Sequence, residues 1–179
     1  MARRYDPERP GRIVDAAIKV AAERGIAGLS HRAVAAEADV PLGSTTYHFK
    51  TLDDLLVAAL RRTARAWLDG MAEWERSLAA EVPLAELLAG LVEEWLAGDR
   101  ARLELEYELY LATLRRPAVR PIATECVEEM VALIRRRTSD EGTARALVAF
   151  LDGLMIQILI TGRPFDRDEV LAALRRMTG

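Results

Sequence analysis

Cysteine is almost absent from this chain. The single one, Cys126, excludes an internal disulfide and any cysteine-rich metal centre, and a small buried apolar residue is its ordinary role. Histidine is nearly as scarce. His31 and His48 both fall in the first fifty residues, so the remainder can hold neither a histidine-based metal site nor a serine–histidine triad. Aromatic residues make up 6% of the chain and β-branched residues are few, which removes the usual material of strands. No GxSxG, P-loop, dinucleotide fingerprint or HExxH occurs, so nothing points to an enzyme, a metal or a cofactor. The N-terminal run MARRYDPERPGR lacks an apolar h-region, and no secretory leader is expected. The most apolar stretch, residues 147–160, is broken by Asp152, Gly153 and Gln157 and reads as too short and too polar to cross a bilayer. The expectation is a cytoplasmic chain with no membrane partner.

Ala, Leu, Glu and Arg dominate, and all four favour helix. With 51% hydrophobic and 30% charged residues over 179 positions, the composition is that of a globular, all-α protein with room for a small and a larger domain. Net charge is −3, but residues 1–50 carry +2 and residues 51–179 carry −5. For nucleic acid the local field at the binding face matters more than the total.

Helix punctuation is clear along the chain. Ile13, Val14, Ala17, Ile18 and Ala21 form a stripe over 10–24, stopped by Gly25. Ser30 is an N-cap candidate, with Leu29 and Val34 placed as a hydrophobic staple. Asp39 occupies a turn, and Pro41 suits the first turn of a short helix over 41–48. A short helix, a tight turn and a second short helix are the spacing of a helix-turn-helix. Thr51 and Asp54 form a capping box opening a long helix, predicted to run to about 80, with Leu56, Leu60, Thr63, Trp67, Met71, Trp74 and Leu78 along it. Five more helices are predicted at 83–97, 99–116, 117–137, 143–161 and 166–177. The eighth is apolar nearly all round, so it must bury more than one face. Arg3, Arg4, Arg9 and Arg12 make a basic N-terminal arm that either reaches DNA or is a simple tail.

Residues 28–56, GLSHRAVAAEADVPLGSTTYHFKTLDDLL, resemble the DNA-binding domain of the TetR family of bacterial repressors. The likeness rests on Ser30 with Arg32, Val34-Ala35, Val40, Gly43, the run Tyr47-His48-Phe49 and the pair Leu55-Leu56. The chain departs from the family pattern at Asp39, Pro41, Thr46 and Leu52. The resemblance implies a three-helix DNA-binding domain over 1–50 and a ligand-sensing and dimerisation domain over 51–179. It implies a DNA-facing surface of Arg32, Ser44, Thr45, Thr46, Tyr47, His48 and Lys50. Hydroxyls there can meet phosphates or base edges, a Thr or Tyr can touch a thymine methyl, and Arg32 and Lys50 are phosphate contacts.

In the family the larger domain encloses a small-molecule effector. The candidates here are Trp67, Met71, Trp95, Tyr107, Tyr110, Met130, Phe150 and Met155, each with plain core as its alternative. Glu104, Glu106 or Glu108 could add one carboxylate for a cationic ligand. The family's last two helices pair with their copies. That makes Leu147, Leu151, Leu154, Ile158, Leu171 and Leu174 the expected homodimer interface, the alternative being a helix enclosed within one chain. The implied function is a ligand-responsive repressor that binds a near-palindromic double-stranded operator and is released by an apolar or aromatic effector. A helical dimeric adaptor with a decayed helix-turn-helix, or a helical enzyme processing a small molecule, are the rival readings.

Overall fold

The computed structural model describes residues 6–77 and 81–179; Arg3, Arg4 and Leu78, named above, lie outside the described residues. Among the described residues the chain is all-α, with nine α-helices and two single 3-10 turns. They divide into two compact units, residues 6–66 with 108–123 and residues 67–77 and 81–107 with 124–179. The division differs from the one expected at residue 50. Helix α4 (Leu52–Ser77) is unbroken, and its first turns bury Leu55, Leu56, Ala59 and Leu60, which keeps them with the N-terminal unit.

In the first unit, α1 (Arg9–Arg24) buries Ile13, Ala17 and Val20 and stops at Gly25, where φ is 69°. That left-handed value suits glycine. A 3-10 turn (Ile26–Gly28) leads into α2 (His31–Glu37), where Ser30 Oγ accepts the Ala33 N–H at 3.1 Å. Leu29 and Val34, the expected staple, are both buried. Asp39 takes the turn with φ 50°, and Pro41 sits at the N-cap of α3 (Leu42–His48), so the helix begins one residue later than expected. The capping box of α4 is complete. Thr51 Oγ1 accepts the Asp54 N–H at 3.0 Å, and Asp54 Oδ2 accepts the Thr51 N–H at 2.9 Å. These bonds to Thr51 hold the Asp54 carboxyl below its usual range. Residues 108–123 are tied to the same unit twice. Glu108 Oε1 accepts the Ile26 N–H at 2.8 Å, and Arg116 pairs with Asp53.

The second unit contains α5 (Leu84–Ala97), most of α6 (Arg100–Ala112), most of α7 (Arg120–Arg135), α8 (Glu141–Thr161) and α9 (Arg167–Thr178). Helix α6 stops four residues earlier than expected. Arg116 precedes Pro117 and is extended (φ −128°, ψ 90°), because a pre-proline residue is kept out of the helical region. Pro117 then opens a 3-10 turn before α7 begins. Helix α8 starts two residues earlier than expected because Asp140 caps it, accepting the Thr143 N–H at 2.6 Å. Helix α9 packs chiefly on α5, and Glu86 of α5 takes Arg167 at 3.0 Å and Arg175 at 2.7 Å. By length and composition alone α8 could cross a membrane, contrary to the sequence expectation. Its buried residues instead join the core of this unit, from Ala144 to Ile158.

The Glu108–Ile26 bond gives the first prediction. A hydrogen bond to a charged acceptor contributes more than a neutral one. Glu108→Ala should lower stability by about 1 kcal/mol in urea unfolding, and Glu108→Gln, which keeps an acceptor, should recover most of it. Gly25→Ala should cost more than Glu108→Ala, since a Cβ there meets Glu108 Oε1 at 3.2 Å on a left-handed backbone.

Candidate functional site

The recognition helix α3 is held by α2 and α1. That packing decides which of its side chains face outward. Ser44 and Thr45 are 4% and 0% exposed, and the Thr45 hydroxyl donates to the Leu42 carbonyl at 2.8 Å. Both were expected to face DNA, and the structure turns both into the protein. The outward residues are Leu42, Gly43, Thr46 and Tyr47, with Lys50 following the helix. Tyr47 is 81% exposed. His48 is half-buried, its ring edge-on to Tyr47 with centroids 5.1 Å apart. Arg32 is exposed on α2. Arg9 and Arg12 both pair with Asp6, at 3.6 and 2.8 Å, which ties the described part of the arm to a carboxylate. Leu42 was missed because an apolar side chain beside a proline reads as core in a sequence; it is 45% exposed.

In the second unit seven of the eight effector candidates come together. Met130 and Met155 lie in the apolar cluster, and Trp67, Met71, Trp95, Tyr107 and Phe150 pack against it half-buried. Trp67 of α4 and Trp95 of α5 have ring centroids 6.4 Å apart and planes tilted by 39°, within the range of favourable aromatic pairs. Met155 is fully buried and Met130 nearly so, so the half-buried aromatics form the accessible part of this surface. Tyr110 does not join them, because α6 passes from the second unit to the first between Tyr107 and Glu108. The three glutamates of α6 are otherwise engaged. Glu104 meets Arg100 at 2.7 Å, Glu106 meets Arg102 at 3.0 Å and Glu108 holds the Ile26 N–H.

The six residues expected at the dimer interface are internal. Leu147, Leu151, Leu154, Ile158, Leu171 and Leu174 are each at most 7% exposed within one chain and belong to its core. Their surface is already spent on α8's own unit. The opposite side of α8 carries Ala149, Gly153, Ile156 and Ile160 at alternating spacings of four and three, which puts them on one strip. Ile160 is 77% exposed, and the space around a Cβ at Gly153 is open. Next to this strip lies Asp152, whose carboxyl burial pushes above its ordinary range. The sequence showed Asp152 only as an interruption in an apolar run.

The comparisons agree with this geometry. Residues 13–59 match the model for bacterial regulatory proteins of the tetR family, and residues 79–179 match a tetracyclin repressor-like C-terminal domain. The HTH-type transcriptional regulator BetI of Burkholderia mallei (strain NCTC 10229) is 26% identical over 176 residues, spanning 91% of this chain and 88% of that protein. Crystal structures of the multidrug binding protein EbrR are 55% identical. Its imidazole complex has a TM-score of 0.89 with 97% of each chain covered, and its ethidium complex has 0.86 with 96% of this chain and 99% of that one. A TetR-family member from Streptomyces coelicolor A3 is also 55% identical, with a TM-score of 0.81 over 97% of this chain and 99% of the other.

Asp152 yields a pH prediction. Its raised value means the folded chain holds a proton more tightly than the unfolded one. That contribution is complete at pH below the unfolded value and is lost as pH rises through the folded one. Asp152→Asn should therefore raise the melting temperature at pH 7. The gain should vanish as pH falls into the carboxylate range. Equal melting temperatures at every pH would show that water reaches this carboxyl freely.

Proposed function

We propose, given that the chain belongs to the TetR family of bacterial transcriptional regulators, that it is a cytoplasmic repressor releasing a near-palindromic operator when a planar, cationic aromatic compound binds. The observation that carries this is the joint presence of an outward recognition face on α3 and a half-buried Trp67–Trp95 pair in the second unit. EbrR, similar over nearly the whole chain, has been crystallised with ethidium, proflavin and malachite green. Indole faces attract cations as well as apolar rings, so the chemistry of Trp67 and Trp95 supports carrying that ligand class to this chain.

On this reading Lys50 and Arg32 grip phosphates while Thr46 and Tyr47 meet base edges. Two copies present two recognition helices to successive major grooves, which makes the operator a near-palindrome. The dimer would form through the outer strip of α8, Ala149, Gly153, Ile156 and Ile160, whose small members allow close approach about a two-fold axis. Effector and operator then compete through a shared equilibrium, and each weakens the other by the same factor.

The test is binding to the DNA upstream of the chain's own gene. Ethidium or proflavin should quench tryptophan fluorescence and displace that DNA; specific binding that neither compound alters would remove the proposed effector class. Lys50→Ala should weaken operator and random DNA alike and reduce the slope of log affinity against log salt by about one per half-site. Tyr47→Ala should cost about 1–3 kcal/mol on operator and much less on random DNA. For assembly, Ile160→Glu should yield a folded monomer by sedimentation. Leu154→Glu should instead unfold the chain, because it buries a charge in its own core. A dimer unaffected by charges at both Ile156 and Ile160 would move the interface elsewhere.

A further inference from the structure

We propose that the recognition helix reads its operator half-site through thymine methyl groups, with Leu42 and Tyr47 as the specificity-determining side chains and Gly43 as the point of close approach. The proposal rests on the operator-binding reading above and names the base chemistry that reading leaves open. Helix α3 is LGSTTYH. It contains no Arg, Lys, Asn, Gln, Asp or Glu. The bidentate partners that single out guanine or adenine, and the carboxylate that accepts from cytosine, are therefore missing from it. Its two internal hydroxyls, on Ser44 and Thr45, are buried. The Thr46 hydroxyl lies 3.5 Å from the carbonyls of both Leu42 and Gly43, turned back on its own helix. What faces outward is a leucine at 45% exposure, a glycine, a threonine whose hydroxyl is engaged with its own helix and whose methyl is left to the outside, and a tyrosine ring at 81% exposure.

Gly43 is the second, independent observation. A glycine inside a helix is less favourable than alanine. Packing among the described residues does not require it, since its φ is not left-handed and, its own turn of helix apart, nothing lies within 4 Å of a Cβ built there. The empty space is on the outer side of α3, between Leu42 and Tyr47 in register, where a methyl would hold the helix away from whatever it meets. In the major groove the thymine C5-methyl is the apolar group that base edges present. The N-terminal residues of a recognition helix are those laid against base edges. Leu42, the first residue of α3, is thus placed to contact such a methyl, with Tyr47 one and a half turns on. Arg32 and Lys50 supply charge beside this face without base information.

The experiment uses the full-length dimer and an operator half-site selected from random duplexes. Each thymine is then replaced in turn by deoxyuridine, which deletes only the methyl. Random duplex with the same replacement serves as control. At one or two positions per half-site, uracil should weaken binding about fourfold, the worth of one buried methyl group, and random duplex should not respond. Leu42→Ala should weaken operator binding and abolish the uracil effect at one position, with Tyr47→Ala doing so at another. Gly43→Ala should leave the melting temperature equal or higher, because alanine favours helix, while operator affinity falls at least tenfold. Sequence-specific binding indifferent to uracil at every position would overturn the inference and leave the repressor reading standing. Equal operator affinity for Gly43→Ala would overturn the role given to Gly43. Failure to select any sequence at all would overturn the operator reading beneath it.

Discussion

A helix of seven residues does not stand alone in water, because nucleation costs more than two turns of hydrogen bonds return. Both α2 and α3 are that short, and the function assigned to the first unit depends on their being rigid. Their order is imposed from outside. Ser30 satisfies an orphan N–H of α2, and Val34 and Ala35 bury its inner face. The left-handed Asp39 turns the chain, and Pro41 fixes the approach to α3. Ser44 and Thr45 are the contact side of α3, which is why neither is available to a ligand. The Ser44 hydroxyl is buried without a hydrogen-bond partner, a cost that close packing on α1 and α2 must offset. The outer side of α3 is then whatever the packing leaves over. A recognition surface of this kind is specified by its back, not by its front.

The same logic governs α8. One face is consumed by its own unit from Ala144 to Ile158. The opposite face stays apolar through Ala149, Gly153, Ile156 and Ile160, although Ile160 is largely exposed among the described residues. An isolated exposed isoleucine is ordinary; a strip of small and β-branched residues at this spacing is what supports the interface proposed above. Asp152 at the edge of that strip is held partly out of water at a cost, which a carboxylate placed for solubility alone would not incur.

The architecture was legible because it is written in local signals. Caps at Ser30 and Thr51, the stop at Gly25 and the stripe of α1 each act over one or two turns, and each stands where the sequence put it. The facing of side chains was less legible, for reasons that differ by element. In α3, Ser, Thr and Thr in succession give no hydrophobic period, so Ser44 and Thr45 could not be told from Thr46. In α8, apolarity on both sides removed the contrast that assigns a face, and the bulkiest residues, such as Leu147 and Leu154, went to the chain's own core. The end of α6 was misjudged because the effect of Pro117 on Arg116 was outweighed by good helix formers before it. Tyr110 was misplaced for a separate reason. No local signal reveals that Tyr107 and Glu108, adjacent in one helix, belong to different units.

Charge limits how such a chain can hold DNA. The total is −3, and in the first unit Lys19 is paired with Glu37 at 2.6 Å while Arg9 and Arg12 share Asp6. With those three cations engaged, the proposed phosphate contacts of the first unit are Arg32 and Lys50, so counterion release would supply modest affinity and sequence-independent binding should be weak. If the chain binds an operator as proposed, affinity would come instead from fit along α3 and from two half-sites engaged at once, where the second contact is favoured by high effective concentration. Binding built that way is easy to undo. A coupling of about 1–3 kcal/mol, ordinary for a small effector, need only spoil the spacing of one half-site to lose the gain of the second. A regulator with a large phosphate contribution would stay on DNA despite such a change. On the proposed reading, the weak basic character of the chain is therefore the property that would let a modest ligand act as a switch.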